Sequence, residues 1–301
     1  VTSNAFKLET AFVWCAIWAF GSALTITDDG TDHRKSFSDW WRNTFKQVRM
    51  PTRDTVFDYW LEPQSNKFEP WKASPAFRAV EFNSKLMKMS DVTVPTTETA
   101  SITFWMEALT RLGAPVMLCG SSGTGKTQLI NGLLRKLNPE EHVSTTINLN
   151  FYSSAVALLG AIEAPLQKRT GSTFGPPGSA KMLYFIDDLN LPEVDKYNTQ
   201  SAIALVRQHL DYSHWYDPQK LTIKTVVDCQ YVSAMNPTAG SFFVNPRLQR
   251  HFTTFAVSMP SATSLLTIYQ TFLDGHLNNN SFAGAICNLS SQMIKGALAL
   301  H

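Results

Sequence analysis

The chain has 301 residues, longer than most single compact domains, so two units or one unit with flanking pieces is the expectation. Hydrophobic residues make up 44% and charged residues 17%, a composition that supports a sizeable core and excludes intrinsic disorder. The net charge of +2, with no basic run longer than HRK at 33–35, argues against a nucleic-acid surface.

Residues 1–50 carry helical spacing. Phe12, Ala16, Ala19 and Ala23 fall on one face, and the stretch SFSDWWRNTFKQV at 36–48 continues the pattern with Phe37, Trp40, Trp41, Phe45 and Val48. The most apolar part, residues 11–24, is shorter than the ~20 residues a bilayer crossing needs, so it reads as a buried helix and no membrane partner is expected. The chain begins at Val1 without a charged leader, so no signal peptide is expected and the sequence reads as a piece of something longer. Cys15, Cys119, Cys229 and Cys287 lie far apart, with no CxxC pair and no histidine at metal-ligand spacing. Buried, reduced thiols in a cytosolic compartment are the expectation.

From 50 to about 94 the pattern breaks at Pro51, Pro63, Pro70 and Pro75, which predicts a connector with Trp60 and Trp71 as packing anchors. After Pro95, the threonines of TTETASITFWMEALTRLG and the nearby Glu98 open an amphipathic helix reaching about Leu112. Then β and α patterns alternate. PVMLCG is a strand, KTQLINGLLRKL a helix, VSTTINLN a strand and SAVALLGAIEAPLQKR a helix. TGSTFGPPGSAK is a loop, MLYFID a strand, TQSAIALVRQHLD a helix, and Asp217-Pro218 turns a hairpin before a further strand ending at Asn236. Such alternation implies an α/β fold with a parallel sheet and helices on both faces.

GSSGTGKT at 120–127 fits the phosphate-binding pattern G-x-x-x-x-G-K-[ST] between a strand and a helix. Gly120, Ser121, Ser122, Gly123, Thr124 and Gly125 supply a backbone that folds around phosphates at the positive end of the following helix. Lys126 is then placed to reach the β- and γ-phosphates, and Thr127 to help hold Mg²⁺. Asp187, ending the apolar strand LYFID, is the matching carboxylate for the metal, and Asp188 stands where a water-activating carboxylate would project.

GSSGTGKT taken with FIDDLNLPEVDKYNTQ, LVRQHLDYSHWYD, CQYVSAMNPTAGSF and NPRLQRHF resembles the third AAA+ module of dynein heavy chains, the axonemal kind more than the cytoplasmic. FVWCAIWAFGSAL, FSDWWRNTF and TVFDYWLEPQSNKFEPW are similar to the end of the second module and its connector, so the resemblance covers nearly the whole chain. It implies a P-loop AAA+ three-layer αβα sandwich on a parallel sheet, preceded by a helical segment and followed by the start of a helical lid subdomain. The implied boundaries are 1–50 for the helical end of the preceding module, 51–94 for the connector, 95–260 for the large P-loop subdomain and 261–301 for the lid, whose later part would follow His301.

The resemblance further implies ATP or ADP with Mg²⁺ as cofactors, Asn236 as a sensor orienting the attacking water, and Val94 and Pro95 in the segment that contacts adenine. Arg247 and Arg250 lie where the family places the arginine finger that acts on the adjacent module's nucleotide. The implied partners are adjacent AAA+ modules of the same heavy chain, microtubules through the full motor, and indirectly the intermediate and light chains. Nucleic acid and membrane are not among them. The implied location is the cytoplasm and cytoskeleton, in the axoneme of a cilium or flagellum. His209, His214 and His251 read as packing or surface residues without a carboxylate partner at useful spacing.

Most AAA+ hydrolases carry Asp-Glu where this chain has Asp187-Asp188. The missing methylene leaves the carboxylate on the order of 1 Å short of the water, which costs about 10²-fold in rate. Three readings follow in order: a slow or conditional ATPase module gating its neighbours, a non-hydrolysing structural nucleotide site, and an independent P-loop phosphotransferase.

Overall fold

The computed structural model describes residues 2–27, 29–238 and 243–300, with 2–6 as backbone only. The chain divides into two compact units, residues 1–105 with 258–301, and residues 106–257.

In the first unit, α1 (Thr2–Gly21) and α2 (His33–Thr44) precede the short hairpin of β1 (Tyr59–Glu62) and β2 (Lys67–Pro70). Helix α3 (Thr97–Arg111) begins in this unit and runs on into the next. Aromatic rings fill the centre, with Trp14, Trp18 and Trp71 packed among Phe57, Phe104 and Trp105. Two of the indoles also satisfy the connector backbone, Trp14 Nε1 donating to Tyr59 O at 3.2 Å and Trp71 Nε1 to Phe57 O at 2.8 Å. Trp60 and Trp71 are both buried, in keeping with their reading as packing anchors.

Helix α1 buries Thr10, Trp14, Ile17 and Trp18 and leaves Phe12 71% exposed, so the face read from Phe12, Ala16, Ala19 and Ala23 is not the core face. From Ala11 onward the helix is apolar all round, periodicity selects no side there, and the indoles decide it by burying the larger area. Cys15 lies exposed, against the expectation of a buried thiol. Burial pushes the Cys119 thiol up to about 11 and the Cys229 thiol up to about 12, so both stay protonated and inert at neutral pH. Helix α2 stops at Thr44 rather than reaching Val48. The Arg42 guanidinium donates to Pro51 O at 2.6 Å and Asp54 O at 2.8 Å, which needs the chain to leave the helix and double back.

The second unit is built on a parallel sheet. In chain order it runs β3 (Val116–Cys119), α4 (Lys126–Lys136), β4 (His142–Asn148), α5 (Ala155–Glu163), β5 (Gln167–Lys168), β6 (Thr173–Gly175) and β7 (Lys181–Asp187). It continues with α6 (Ser201–Tyr212), β8 (His214–Tyr216), β9 (Ile223–Val226), β10 (Cys229–Met235), α7 (Pro246–Gln249) and β11 (Thr253–Ala256). Five strands pair in the order β11-β3-β10-β7-β4, all parallel. Residues 182–186 of β7 are wholly buried, as a strand covered on both faces requires.

The other four strands form a smaller sheet, β5-β6-β9-β8. Here the sequence reading is corrected: α5 ends at Glu163 instead of running to Arg169, and the loop read at 170–181 contains β6. Pro165 has no backbone N–H to continue the helical hydrogen bonding, so α5 closes with Ala164 as its cap and 167–168 are left to pair as β5. Glu163 ties the small sheet to α5, accepting from Trp215 Nε1 at 2.6 Å and from Lys224 Nζ at 3.1 Å.

Residues 258–301 return to the first unit as α8 (Ala262–Asn279), α9 (Gly284–Cys287) and α10 (Ser290–Leu300). Among the described residues no helix is long and apolar enough to cross a membrane.

Candidate functional site

Strand β10 lies between β3 and β7 in the large sheet, and the pairings Met235 with Cys119 and Ser233 with Ile186 bring the three C-terminal ends together. Those ends carry Gly120, Asp187 and Asn236. Ligands of open α/β sheets bind beyond this edge, so the topology alone gathers residues from three distant stretches.

The loop after β3 has the backbone a phosphate cradle needs. Gly123 and Gly125 hold φ of +80° and +88°, a region L side chains rarely adopt. Gly120 is required for a different reason: a Cβ there would collide with the carbonyl oxygen of Val257. Thr124 is buried and its Oγ1 donates to Ser121 O at 3.0 Å, fastening the turn. Ser121, Ser122, Gly123 and Gly125 are exposed.

Lys126 opens α4 with its ammonium folded into the loop, Nζ donating at 2.8 Å to both Gly120 O and Ser121 O. Burial pulls its pKa below the ordinary lysine value, opposed by the charges of Asp187 and Asp188. Thr127 Oγ1 donates to Asp187 Oδ2 at 2.9 Å, closing a link between residues sixty apart in sequence. Asp187 Oδ1 accepts the N–H of Asp188 at 3.1 Å.

Asp188 stands in the left-handed region at φ 55°, uncommon for a residue with a Cβ. The turn is fixed on both sides, Leu189 N donating to Ala234 O and Leu191 N to Asp188 O. Burial, then the charge of Asp187, raises the Asp188 carboxyl above its ordinary range, while Lys126 pulls the other way. Asn236 is buried at the end of β10, and its Oδ1 accepts from Thr238 N and Thr238 Oγ1, leaving the amide N–H₂ as its remaining polar end.

The arginines sit apart from this cluster in their bonding. Arg250 Nη2 meets Asp211 Oδ1 at 2.5 Å, and His251 Nε2 reaches the same oxygen at 2.9 Å. His251 therefore has a carboxylate partner, which the sequence reading missed because Asp211 lies forty positions away on α6. Arg247 is exposed, and among the described residues no side-chain partner engages its guanidinium. Val94 and Pro95 belong to the first unit, where Val94 is buried beside Phe82 and Val92. The end of the CQYVSAMNPTAGSF stretch, residues 239–242, lies outside the described residues.

Two residues of this region escaped the sequence reading. Asn190 is 2% exposed and donates through Nδ2 to Asn236 O at 2.8 Å; Gln200 is buried and donates to Pro192 O at 2.7 Å. The available signal was an amide between two leucines in DDLNLP, where an apolar residue suits the burial better.

The donor set suits Mg²⁺. Thr127 and Asp187 offer two hard oxygens 2.9 Å apart, and the described residues contain no group of three or more His, Cys, Asp or Glu side chains that would form a closed metal cage. Mg²⁺ bound with phosphates typically takes one or two protein ligands and keeps several waters.

Comparison with known proteins identifies the family. The family model of the P-loop containing dynein motor region matches residues 82–260, and that of the dynein heavy chain AAA lid domain matches residues 3–73. The chain is 46% identical over 294 residues to dynein axonemal heavy chain 17 of Homo sapiens. It is 45% identical to the ciliary dynein beta chain of Tripneustes gratilla and 43% identical to the dynein alpha chain of the flagellar outer arm of Chlamydomonas reinhardtii. Each alignment covers 97% of this chain and 6% of the relative. A parallel P-loop sheet with its carboxylate pair, a lid match at the N-terminal end and this degree of identity agree: the chain belongs to the dynein heavy-chain family, as a nucleotide-binding AAA+ P-loop region of it.

Proposed function

We propose that this region binds ATP or ADP with Mg²⁺ and hydrolyses ATP slowly or conditionally, so that its nucleotide state gates neighbouring AAA+ modules of one heavy chain. The Thr127 to Asp187 hydrogen bond supports this most directly, because it brings together the two side-chain oxygens that would hold Mg²⁺. Bound Mg²⁺ would neutralise charge on the phosphate oxygens, held by Thr127 and Asp187. Lys126 exchanges two loop carbonyls for phosphate oxygens, Asp188 takes the proton of the attacking water, and Asn236 orients that water through its amide. Val94 and Pro95 are proposed to contact adenine. Titrating a fluorescent ATP analogue with and without Mg²⁺ tests the reading, with binding at Lys126 that tightens with the metal as the expected result. Affinity indifferent to Mg²⁺ would count against it.

In this reading the region works inside a microtubule motor of the axoneme, with adjacent modules as direct partners and the intermediate and light chains as indirect ones. The names of its axonemal, ciliary and flagellar relatives support that setting.

The two arginines divide the finger role. Arg250 is held by Asp211 within its own unit, whereas Arg247 is exposed with no side-chain partner among the described residues, so Arg247 is proposed as the finger. Arg247→Ala in the intact ring is expected to slow turnover in the adjacent module, where a finger contributes about 10³-fold or more, with local affinity unchanged. The same result from Arg250→Ala alone would reverse the assignment.

The environment of Asp188 also sets a pH dependence. A base works only when ionised, and burial raises its pKa, so hydrolysis is expected to fall toward acid pH earlier than it would with an exposed carboxylate. Single-turnover rates across pH test this: Asp188→Asn should abolish the acid limb along with most of the rate.

A further inference from the structure

Asp188 and Asn236 stand on different strands, and whatever they do together at one phosphate requires a fixed distance between them. The sheet ladder stops short of providing it. The last β10 to β7 pairing is Ser233 with Ile186, and β7 itself ends at Asp187. Beyond that point two bonds replace the ladder. Leu189 N donates to Ala234 O at 3.1 Å, and the Asn190 side chain reaches to the next carbonyl but one, Asn236 O, at 2.8 Å. The turn that bears Asp188 thus grips alternate carbonyls of β10, the second belonging to Asn236 itself.

The bond is made at a cost in unsatisfied polarity. Asn190 is 2% exposed, and among the described residues its Oδ1 is buried with no hydrogen-bond partner. Only an amide nitrogen can donate to a carbonyl oxygen, so the orientation of the side chain is settled by Asn236 O. A residue there for packing alone would be apolar, and one there for local satisfaction would use both ends of the amide. Gln200 braces the same turn from outside through Pro192 O.

We infer that Asn190 is a positioning residue that locks Asn236 in register with the Asp188 turn, so that the site distinguishes a nucleotide with a γ-phosphate from one without. This rests on the proposed roles of Asn236 and Asp188 but does not require turnover, since discrimination between ATP and ADP is itself a readout.

The test measures, in an intact heavy chain with its other nucleotide sites disabled, the affinity ratio of a non-hydrolysable ATP analogue to ADP, together with single-turnover hydrolysis. The variants are Asn190→Asp, Asn236→Ala and their combination. Asn190→Asp keeps volume and removes the donor. It is expected to shift the ratio by about tenfold in the same direction as Asn236→Ala, with ADP affinity within about twofold of the parent, and the double variant to shift it no further. Asn190→Leu, close in size and uncharged, carries the same comparison if the aspartate variant fails to accumulate. A parent ratio retained in both Asn190 variants while Asn236→Ala changes it would overturn the positioning role and leave the function standing. Full additivity would overturn it likewise. No effect of Asn236→Ala would remove the sensor assignment, and the inference with it. Absence of turnover in the parent would refute hydrolysis alone, because the ratio still decides the role of Asn190.

Discussion

Lys126→Ala is expected to abolish nucleotide binding at this site while the unit stays folded. The ammonium makes two charge-assisted bonds to loop carbonyls, Gly120 O and Ser121 O. Its larger role is toward phosphate. Truncating one partner of a buried, hydrogen-bonded charge pair costs about 2–5 kcal/mol, and at about 1.4 kcal/mol per decade the affinity falls by roughly 30-fold to several thousand-fold. Thermal shift on adding Mg-ATP measures it. The parent should gain stability with ligand and the variant should not, with similar melting points in the absence of ligand. Equal ligand-induced shifts would show that the loop does not use its lysine.

The second large effect belongs to the carboxylate pair, whose members answer to different partners. Asp187 bonds Thr127 and faces the proposed metal, so Asp187→Asn is expected to weaken Mg²⁺-dependent binding. Asp188 bonds neither Thr127 nor Lys126 in the structure and is free to serve the water. If its short side chain limits reach, Asp188→Glu speeds hydrolysis by up to about 10²-fold, and Asp188→Asn slows it without loss of affinity. The backbone adds a competing term. At φ 55° the turn already projects Asp188 differently from an ordinary strand end, so the conformation itself can supply part of the missing reach. A Glu variant no faster than the parent would assign the placement to the backbone, and the slow step to ring closure.

The glycines, lysine and carboxylates of the site were legible because each answers a local demand. Gly123 and Gly125 mark left-handed backbone, Lys126 opens a helix after a strand, and Asp187 ends an apolar run of strand length. The alternation of strands and helices likewise gave the parallel sheet, because burial of β7 on both faces writes itself as MLYFI. What stayed hidden depended on partners distant in sequence. The core face of α1 could not be read from its all-apolar second half, β6 is a strand only because β9 and β5 pair with it, and His251 looked unpartnered because Asp211 comes from another element. Asn190 belongs with these. Its role follows from the carbonyl of Asn236, forty-six residues on.

Single-turnover hydrolysis of ATP at this site, in an intact heavy chain whose other nucleotide sites are disabled, tests the account most directly. The predicted result is a slow, Mg²⁺-dependent turnover that Lys126→Ala eliminates and Asp188→Glu accelerates. A parent rate as fast as that of the motor's principal site, or bound ATP that never turns over in either the parent or the Asp188→Glu variant, would contradict it.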